Sequence, residues 1–437
     1  MRKGIKAVKG RGSEIRSGMP KRIRIAAMTM PSASLVWILL VYAWIANYLI
    51  RMALSSLLPP IMAELSLSYT RAGLLATAFL YAYTAMQLPA GLLGDRLGRK
   101  RVVLSGILLG AAASLLTGLA GSFLMLFLAR LLTGVSQGSL FSNDRVIIAA
   151  YTPKEKIALG QGVSFSGPGL GTTLGLFLAG ALGELMPWRG VFFVFALPPL
   201  LAALLLWWLI PEPPTQVADS GRGSLRRVVR QPDLWILGVA GMTPVWIQFT
   251  LATWAPLLFA EIGVTELGRS AFYASLQGLP APFGLLAMGW LADLAQRRGI
   301  GRKVVIALTI LLAGGSFAAV GFVVQAGGSP LLLTTLMLAT SFFLWGTWGP
   351  VYALVGDLVR PSLLGTAFGF MNTLCFVGSL AGPVFTGWVK DVTGSFAWGC
   401  YGAAIAAGLG AAIALAIHPA FRLRAAPSVA GAEERRV

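Results

Sequence analysis

The sequence predicts an all-α polytopic membrane protein with 12 transmembrane helices in two six-helix halves. Three observations support this fold class. Of the 437 residues, 56% are hydrophobic and only 12% are charged, whereas a soluble domain carries about 25% charged residues. Apolar runs recur along the whole chain, and each is long enough, at about 18 residues or more, to cross a bilayer as a helix. One long polar segment divides these runs into two sets of six.

The predicted elements follow from these runs, which charged and turn-forming residues separate. A basic tail, 1–32, precedes the first half, 33–210, and a tail at 418–437 follows the second half, 234–417. The segment 211–233 is rich in Pro, Gly, Ser and Arg and is predicted to be a solvent-exposed linker. The predicted spans are 33–62, 70–92, 102–120, 122–147, 158–183, 190–210, 234–260, 270–292, 303–326, 330–356, 364–389 and 395–417.

The basic residues indicate topology rather than nucleic-acid binding, although the formal net charge is +19. Twelve spans place both ends of the chain on one face. Most of the 35 Lys and Arg residues lie on that face, in the tails and in the segments after the even-numbered spans. The positive-inside rule therefore predicts that the linker and both termini are cytoplasmic. We expect this multi-pass chain to lie in the cell inner membrane. Membrane lipid is an expected partner, and nucleic acid is not.

Few residues in the sequence are suited to catalysis or metal binding. The one histidine, His418, follows the last span, and Cys375 and Cys400 lie inside apolar spans without a metal-binding spacing. We expect no cofactor, no metal and no enzymatic activity. No secretory signal peptide is expected either, because the first apolar run is too long for one.

Each half carries similar motifs at corresponding positions. The segment after span 2 reads Gly91-Leu-Leu-Gly-Asp-Arg-Leu-Gly-Arg-Lys100, and the segment after span 8 reads Gly289-Trp-Leu-Ala-Asp293 followed by basic residues. Two repeats joined by a linker are typical of secondary transporters, whose binding site lies at the repeat interface near the middle of the membrane.

The first of these segments resembles the signature loop between helices 2 and 3 of the major facilitator superfamily. The resemblance covers residues 33–417 and implies a two-domain rocker-switch carrier, with helices 1, 4, 7 and 10 lining a central cavity. Asp95 can accept hydrogen bonds from Arg99 or from free N–H groups at a facing helix N-terminus. Such contacts would hold the cytoplasmic ends of the halves together in one state. The predicted gating residues are Gly91, Asp95, Arg96, Arg99 and Asp293.

Two arginines, Arg51 in span 1 and Arg130 in span 4, are predicted to lie inside the membrane. The two spans run in opposite directions, and both residues fall at nearly the same depth, so they form a candidate anion clamp. A planar guanidinium suits this role because it meets a carboxylate or phosphate with two hydrogen bonds. Two other roles stay open. Arg51 could extend to interfacial water, and Arg130 lies in a pattern resembling a widespread superfamily motif that serves packing or the transport cycle.

The 16 acidic residues favour an anionic cargo. All lie in tails, loops or span ends, with Glu64, Asp144, Glu184 and Glu261 closest to the membrane. Neither arginine then has an evident carboxylate partner within the protein, although an unpaired buried charge is costly. An organic anion would supply the missing charge.

A second resemblance narrows the family. The stretch Asn47-Tyr-Leu-Ile-Arg51 resembles Asn-Tyr-x-Asp-Arg in helix 1 of the anion:cation symporter branch, which moves sugar acids and other organic anions. Gly134-Val-Ser-Gln-Gly-Ser-Leu-Phe141 resembles its helix-4 stretch Gly-x-x-Glu-x-x-x-Phe. In that branch, the aspartate of the first stretch and the glutamate of the second carry protons. In this chain Ile50 stands at the aspartate position and Gln137 at the glutamate position. Besides proton symport, uniport, anion exchange and coupling to another ion therefore stay open.

Polar and aromatic side chains in the spans complete the predicted cavity. Tyr48 lies one turn before Arg51, and Gln137 lies on the same face of span 4 as Arg130. Each aromatic residue could instead serve as an interfacial anchor. The further predicted substrate contacts are Tyr83, Gln87, Trp246, Gln248, Gln277, Trp348, Tyr352 and Asn372.

The sequence thus predicts a monomeric carrier that moves a small organic anion, a carboxylate or a sugar acid, by alternating access. The main competing hypothesis is a proton-coupled multidrug exporter of the same superfamily, because Gly167-Pro168 partly resembles an exporter motif in helix 5. An exporter usually carries a buried carboxylate, and none is evident in the sequence. A membrane-bound enzyme would need a nucleophile, a metal cluster or paired carboxylates within the spans. A receptor that keeps this fold without transporting a cargo stays open as well.

Overall fold

The computed structural model describes residues 31–153, 156–213, 222–360 and 363–417, and these residues form helices joined by short connections. The predicted all-α fold is confirmed in this part of the chain. The helices are α1 (Ala33–Leu65), α2 (Tyr69–Leu97), α3 (Arg99–Gly118), α4 (Phe123–Tyr151), α5 (Ile157–Leu185), α6 (Trp188–Phe195), α7 (Leu197–Leu209), α8 (Arg222–Val229), α9 (Pro232–Glu261), α10 (Leu267–Ser275), α11 (Ala281–Arg297), α12 (Arg302–Ala326), α13 (Pro330–Gly346), α14 (Trp348–Leu358), α15 (Leu364–Thr393) and α16 (Ala397–Leu415).

Eleven segments of the described chain are long and apolar enough to cross a membrane, so the protein is a multi-pass membrane protein. Three of these segments are built from two α-helices each, namely α6 with α7, α10 with α11, and α13 with α14. A 3-10 turn over Leu276–Gly278 lies between α10 and α11. The predicted span 70–92 corresponds to α2, which is not among the eleven. With 29 residues α2 is long enough, but its tyrosine, threonine and glutamine side chains make it less apolar.

The sequence predicts one continuous helix for each of spans 6, 8 and 10, and the structure divides all three. Pro198 and Pro199 stand at the start of α7, Pro280 immediately precedes α11, and Pro350 follows the division at Thr347. Proline lacks an N–H group and collides with the preceding turn, so a regular helix is interrupted at these points. The other predicted spans agree with the observed helices to within two turns at each end.

The predicted linker, 211–233, is partly helical. Residues 214–221 lie outside the described residues, as do most of the first predicted tail and all of the second. Within the linker, α8 packs against α15, and Val228 is fully buried. Leu225, Arg226, Arg227 and Val229 of α8 are exposed, so Val228 is an exception within the segment, and the solvent-exposed linker stays a prediction.

The same helix pairings occur before and after the linker. In the first set, α1 packs along α5, α2 along α4, and α3 along α4, α6 and α7. In the second set, α9 packs along α15, α11 along α13, and α12 along α13 and α16. The two sets contact each other mainly through α2 with α15 and α5 with α10. This arrangement places α1 next to α9 at the centre of the bundle.

Glycine allows the closest contacts between these helices. A Cβ atom on Gly134 of α4 would lie 2.1 Å from the carbonyl oxygen of Phe79 in α2. A Cβ atom on Gly378 of α15 would lie equally close, at 2.1 Å, to the carbonyl oxygen of Met242 in α9. Both neighbouring atoms belong to helix backbone, which cannot move aside as a flexible side chain could. Each contact therefore requires glycine.

We expect Gly134→Ala to lower the melting temperature of the purified protein by several degrees, because its methyl group forces α4 away from α2. The control is Gly315→Ala in α12, where a Cβ atom meets nothing within 4 Å. Alanine favours a helix interior by about 1 kcal/mol over glycine, so this variant should melt at or above the wild-type temperature. Equal melting temperatures for the two variants would contradict the packing argument.

Candidate functional site

Arg51 lies on α1 beside α9 and is almost wholly buried, with 8% of the residue exposed. Its Nη1 donates a hydrogen bond to the hydroxyl of Tyr48 (2.9 Å). Its Cζ lies 4.7 Å from the ring centroid of Tyr48, 4.4 Å from that of Phe79 and 4.9 Å from that of Phe249. Ring faces attract a cation and offset part of its lost hydration. No described carboxylate forms an ion pair with Arg51.

Arg130 on α4 is also buried and points toward the backbone of α1. Its Nη1 donates to the carbonyl oxygen of Ile50 and its Nη2 to that of Arg51, both at 3.4 Å. Its Nε has no hydrogen-bond partner within the described residues. The two guanidinium groups are therefore engaged differently. Arg130 fixes the middle of α1, which favours the organising role, whereas the Arg51 guanidinium is held by side chains only.

Two small cavities adjoin Arg51. The larger, of about 40 Å³, has a wall formed by Tyr48, Arg51, Met52, Thr172, Gln248, Phe249, Leu251, Ala252, Gln277, Gly278, Ser341, Leu344 and Trp345. The smaller, of about 20 Å³, lies between Arg51 and Arg130. A water molecule needs about 10–15 Å³ on this scale. The cavities can hold a few waters, and an organic acid needs more room, which requires separation of the helices.

The structure brings five of the predicted contacts to these cavities: Tyr48, Arg51, Gln248 and Gln277 line the larger, and Arg130 lines the smaller. Gln137 lies beside them and donates from Nε2 to the carbonyl oxygen of Asn47 on α1 (3.0 Å).

The remaining predicted contacts lie in helix interfaces and line neither cavity. Asn372 of α15 donates to the Gln87 side chain of α2 (3.2 Å), so these two residues join the halves. The aromatic residues pack on other rings: Tyr83 on Phe79 and Phe376, Trp246 on Phe385, and Trp348 on Tyr352.

Several residues at the site could not be predicted as site residues from the sequence. Phe79 and Phe249 surround Arg51, but phenylalanine is common in any transmembrane helix. Thr172 and Ser341 line the larger cavity. Ser and Thr are often buried in helices because they bond their own backbone, as Thr172 does to the carbonyl oxygen of Pro168 (2.9 Å).

Asp144 was predicted to lie at the end of a span, but the structure places it inside one. Because α4 extends to Tyr151, Asp144 lies two turns inside the helix and is fully buried. Its Oδ2 accepts a hydrogen bond from Nε1 of Trp44 (2.7 Å), and its Oδ1 lies 3.4 Å from Nε of Arg145. The expectation that no carboxylate is buried within the spans is therefore wrong. Asp144 lines neither cavity, however, and does not neutralise Arg51.

The predicted gating residues lie at the end of the bundle that carries the α2–α3 and α11–α12 connections, which we call the basic face. Arg99 is paired with Asp95, and its Nη1 donates to the carbonyl oxygen of Gly91 (3.1 Å) and to Oδ1 of Asn143 (3.0 Å). These contacts tie together α2, α3 and α4. Arg96 is exposed.

An equivalent cluster occupies the second half. Arg302 is paired with Asp293 (2.9 Å) and with Asp357, which ties together α11, α12 and α14. Gly98 and Gly301, at the start of α3 and α12, both adopt positive φ angles, of 101° and 85°. Each cluster lies within one half. Asp95 accepts from Arg99, which is one of the two partners expected for it, and a contact between Asp95 and the other half in a different state stays a prediction.

Carboxylates join the halves at the opposite face instead. Asp391, near the end of α15, accepts hydrogen bonds from the backbone N–H groups of Tyr69 (2.9 Å) and Thr70 (2.8 Å), which begin α2. Glu184, near the end of α5, accepts one from Gly268 (2.7 Å), at the start of α10. Each carboxylate compensates free N–H groups and the positive end of a helix in the other half. The opposite face is thus closed by two equivalent contacts.

The repeated helix pairs and the buried site between them are typical of a multi-pass secondary transporter. The sequence profile of the Major Facilitator Superfamily matches residues 39–383. The chain belongs to this superfamily, as the signature loop predicts.

Relatives with similar sequences confirm the resemblance to the anion:cation symporter branch. A hexuronate transporter of Bacillus subtilis is 26% identical over 83% of this chain and 89% of its own length. A probable sulfoacetate transporter, SauU, of Cupriavidus necator is 26% identical over 85% of this chain and 90% of its own. A D-galactonate transporter of Escherichia coli O6:H1 is 26% identical over 76% of this chain and 83% of its own.

Solved structures confirm the fold. A bacterial homologue of the human lysosomal transporter Spinster, in an inward-facing and occupied conformation, superposes with a TM-score of 0.78 at 18% identity. The superposition covers 87% of this chain and 96% of the other.

The different contacts of the two arginines predict different effects on stability without ligand. We expect Arg130→Gln to lower the melting temperature by several degrees, because it removes the hydrogen bonds that join α4 to α1. Arg51→Gln should leave it nearly unchanged or raise it, because it removes a buried charge that lacks a carboxylate partner. Thermal unfolding in detergent measures the melting temperatures of both variants. Equal destabilisation by the two variants would show that Arg51 has a mainly structural role.

The closed opposite face predicts local changes in hydrogen exchange. We expect Asp391→Ala to speed amide exchange at the start of α2 several-fold, because the N–H groups of Tyr69 and Thr70 lose their acceptor. Glu184→Ala should likewise speed amide exchange at the start of α10, where the N–H group of Gly268 loses its acceptor. Each variant is the control for the other, and mass spectrometry resolves the two peptides. Unchanged exchange at the start of α2 in Asp391→Ala would contradict this closure.

Proposed function

We propose that this chain is a secondary carrier that moves a small organic anion, a carboxylate or a sugar acid, by rocker-switch alternating access, with Arg51 as the primary anion contact. The observation that carries the proposal is the environment of Arg51. Its guanidinium is buried, adjoins both cavities and has no ion-pair partner among the described carboxylates. An anionic cargo supplies the missing charge and the two-pronged acceptor that a guanidinium favours.

The position of Arg51 supports alternating access. Its guanidinium contacts Tyr48 and Phe79 in the first half and Phe249 in the second. A cargo bound there contacts both halves, so its binding affects how they approach each other. The small cavities imply that the halves separate to admit the cargo. With the opposite face closed by Asp391 and Glu184, this separation takes place at the basic face.

The names of the relatives support the substrate class. Hexuronates and D-galactonate are sugar acids with one carboxylate, and sulfoacetate carries a carboxylate and a sulfonate. A planar oxyanion is common to all of them, and Arg51 matches that group. The hydroxyl and amide groups of Thr172, Gln248, Gln277 and Ser341 are suited to the sugar hydroxyls. We propose that these groups discriminate among anions.

The proposed topology has twelve spans, with α2 as the second, two six-helix halves at 33–210 and 234–417, and the linker between them. The basic face and both termini are cytoplasmic in this proposal, and the protein is a functional monomer in the cell inner membrane. A multidrug exporter is not proposed, because a lipophilic cation would need a carboxylate at the cavity, and the buried Asp144 lines neither cavity.

The test is a thermal stabilisation screen with D-glucuronate, D-galactonate, sulfoacetate, inorganic phosphate and tetraphenylphosphonium. A ligand that binds only the folded protein stabilises it by about 2.7 kcal/mol at 100 times its Kd. We expect a carboxylate to raise the melting temperature of the wild type and to lose most of that effect in Arg51→Gln. A bond to a charged group is worth about 1.5–3 kcal/mol, so the loss should be at least tenfold in Kd.

The matched control is Arg71→Gln, the same substitution at an exposed arginine of α2. This variant should respond to the anion as the wild type does. Stabilisation by tetraphenylphosphonium alone, or an equal anion response in Arg51→Gln, would overturn the proposal.

A further inference from the structure

Helix α4 contacts α1 at three levels, through Arg130, Gln137 and Asp144. These residues are seven apart, which is about two helical turns, so their side chains lie on one face of α4. Arg130 donates to two carbonyl oxygens of α1. Gln137 donates to the carbonyl oxygen of Asn47 at 3.0 Å, and at the third level Trp44 of α1 donates to Asp144 at 2.7 Å. Asp144 thus belongs to the same helix interface as the arginine site.

Asp144 is the one acidic residue of the described chain that is fully buried. Its Oδ2 accepts from the Trp44 indole and, at 3.4 Å, from the Ser164 hydroxyl of α5. The charged and titratable groups that face it in this part of the chain are Arg145 on α4 and the phenol of Tyr83 on α2. From α1 and α5 it meets an indole and a hydroxyl, and neither of these titrates. Burial and the neighbouring Arg145 guanidinium have opposite effects on the charged form of this carboxylate.

A direct line of contacts joins Asp144 to the arginine site along α1. The indole of Trp44 bonds to Asp144, and its ring lies 5.9 Å from the ring of Tyr48. The Tyr48 hydroxyl in turn accepts a hydrogen bond from Arg51 (2.9 Å). Along α4, Asp144 lies fourteen residues, about 21 Å, beyond Arg130 toward the basic face. Two aromatic side chains therefore connect Asp144 to Arg51.

We propose that Asp144 binds the proton that is coupled to anion movement in this carrier, an inference that rests on the proposed anion transport. The carboxylate accepts one proton from water on one side of the membrane and returns it to water on the other. Protonation removes the ion pair with Arg145 and weakens the bond from Trp44. The α1–α4 contact near the basic face is thereby loosened while the anion is bound at Arg51. No further reactant takes part.

The test uses purified protein in liposomes with D-glucuronate as the probe. Counterflow of labelled D-glucuronate at equal pH measures binding and exchange, whereas accumulation driven by an acidic exterior measures proton coupling. We expect the wild type to show both activities. Asp144→Asn should retain counterflow within about threefold and lose accumulation at least tenfold, because asparagine cannot bind or release the proton. The exposed Glu266→Gln, which also removes one carboxylate, is the matched control and should retain both.

The liposome experiment distinguishes failure of the proposed function from failure of the assignment to Asp144. Absence of wild-type counterflow overturns the proposed function and the coupling with it. Counterflow without any response to the pH gradient overturns proton coupling alone. Accumulation retained in Asp144→Asn shows that the proton binds elsewhere and overturns the assignment to Asp144.

If Asp144→Asn fails to fold, a second variant tests whether Asp144 binds the coupled proton. Trp44→Phe keeps the carboxylate but removes the indole N–H that bonds to its charged form. We expect the pH at which uptake is half-maximal to move upward by at least half a unit, because the protonated form is then relatively favoured. An unchanged pH profile in a folded Trp44→Phe overturns the proposal.

Discussion

A guanidinium inside a membrane protein requires compensation by negative charge, polar groups or water, and the centre of this bundle is arranged around that requirement at Arg51. Tyr48, Phe79 and Phe249 offer ring faces and one hydroxyl to it. Arg130 holds the adjacent carbonyl groups of α1 and so fixes the height of the helix. Because Arg51 is held by weak, replaceable contacts, a carboxylate can displace them without breaking an existing ion pair.

The two faces of the bundle are stabilised by different kinds of contact. At the basic face, Arg99 and Arg302 bind acidic residues of their own halves, so each half keeps its shape when the two separate. At the opposite face, Asp391 and Glu184 bind helix N-termini of the other half. These bonds lie near the surface, where water can replace them at little free-energy cost. Contacts of this kind hold a face closed and still allow it to open, which a rocker-switch carrier requires.

Hydropathy and charge in the sequence were sufficient to predict the helical membrane fold, the repeat and the burial of Arg51. They did not predict the divisions in three spans, because an average over a span does not locate a break, and other prolines such as Pro168 and Pro383 lie inside continuous helices. They also misplaced Asp144, because the predicted span ends at 147 whereas α4 continues to Tyr151, so the carboxylate lies two turns inside the helix. The seven-residue spacing from Arg130 through Gln137 could have indicated its position. Phe79 and Phe249 depend on contacts between helices distant in sequence, and no local pattern distinguishes them from other phenylalanines.

The contact made by Gln137 bears on where a proton could bind. In the branch that this chain resembles, a glutamate stands at this position. Here the amide Nε2 donates to the carbonyl oxygen of Asn47, a bond that an ionised carboxylate cannot make because it has no hydrogen to donate. Gln137 therefore corresponds to a glutamate that is permanently protonated, and Ile50 has no proton to exchange. On this face of α4, Asp144 is the group that can exist both with and without a proton. Its distance from Arg51 separates proton binding from anion binding, so the two are linked through Trp44 and Tyr48 rather than by direct competition for one charge.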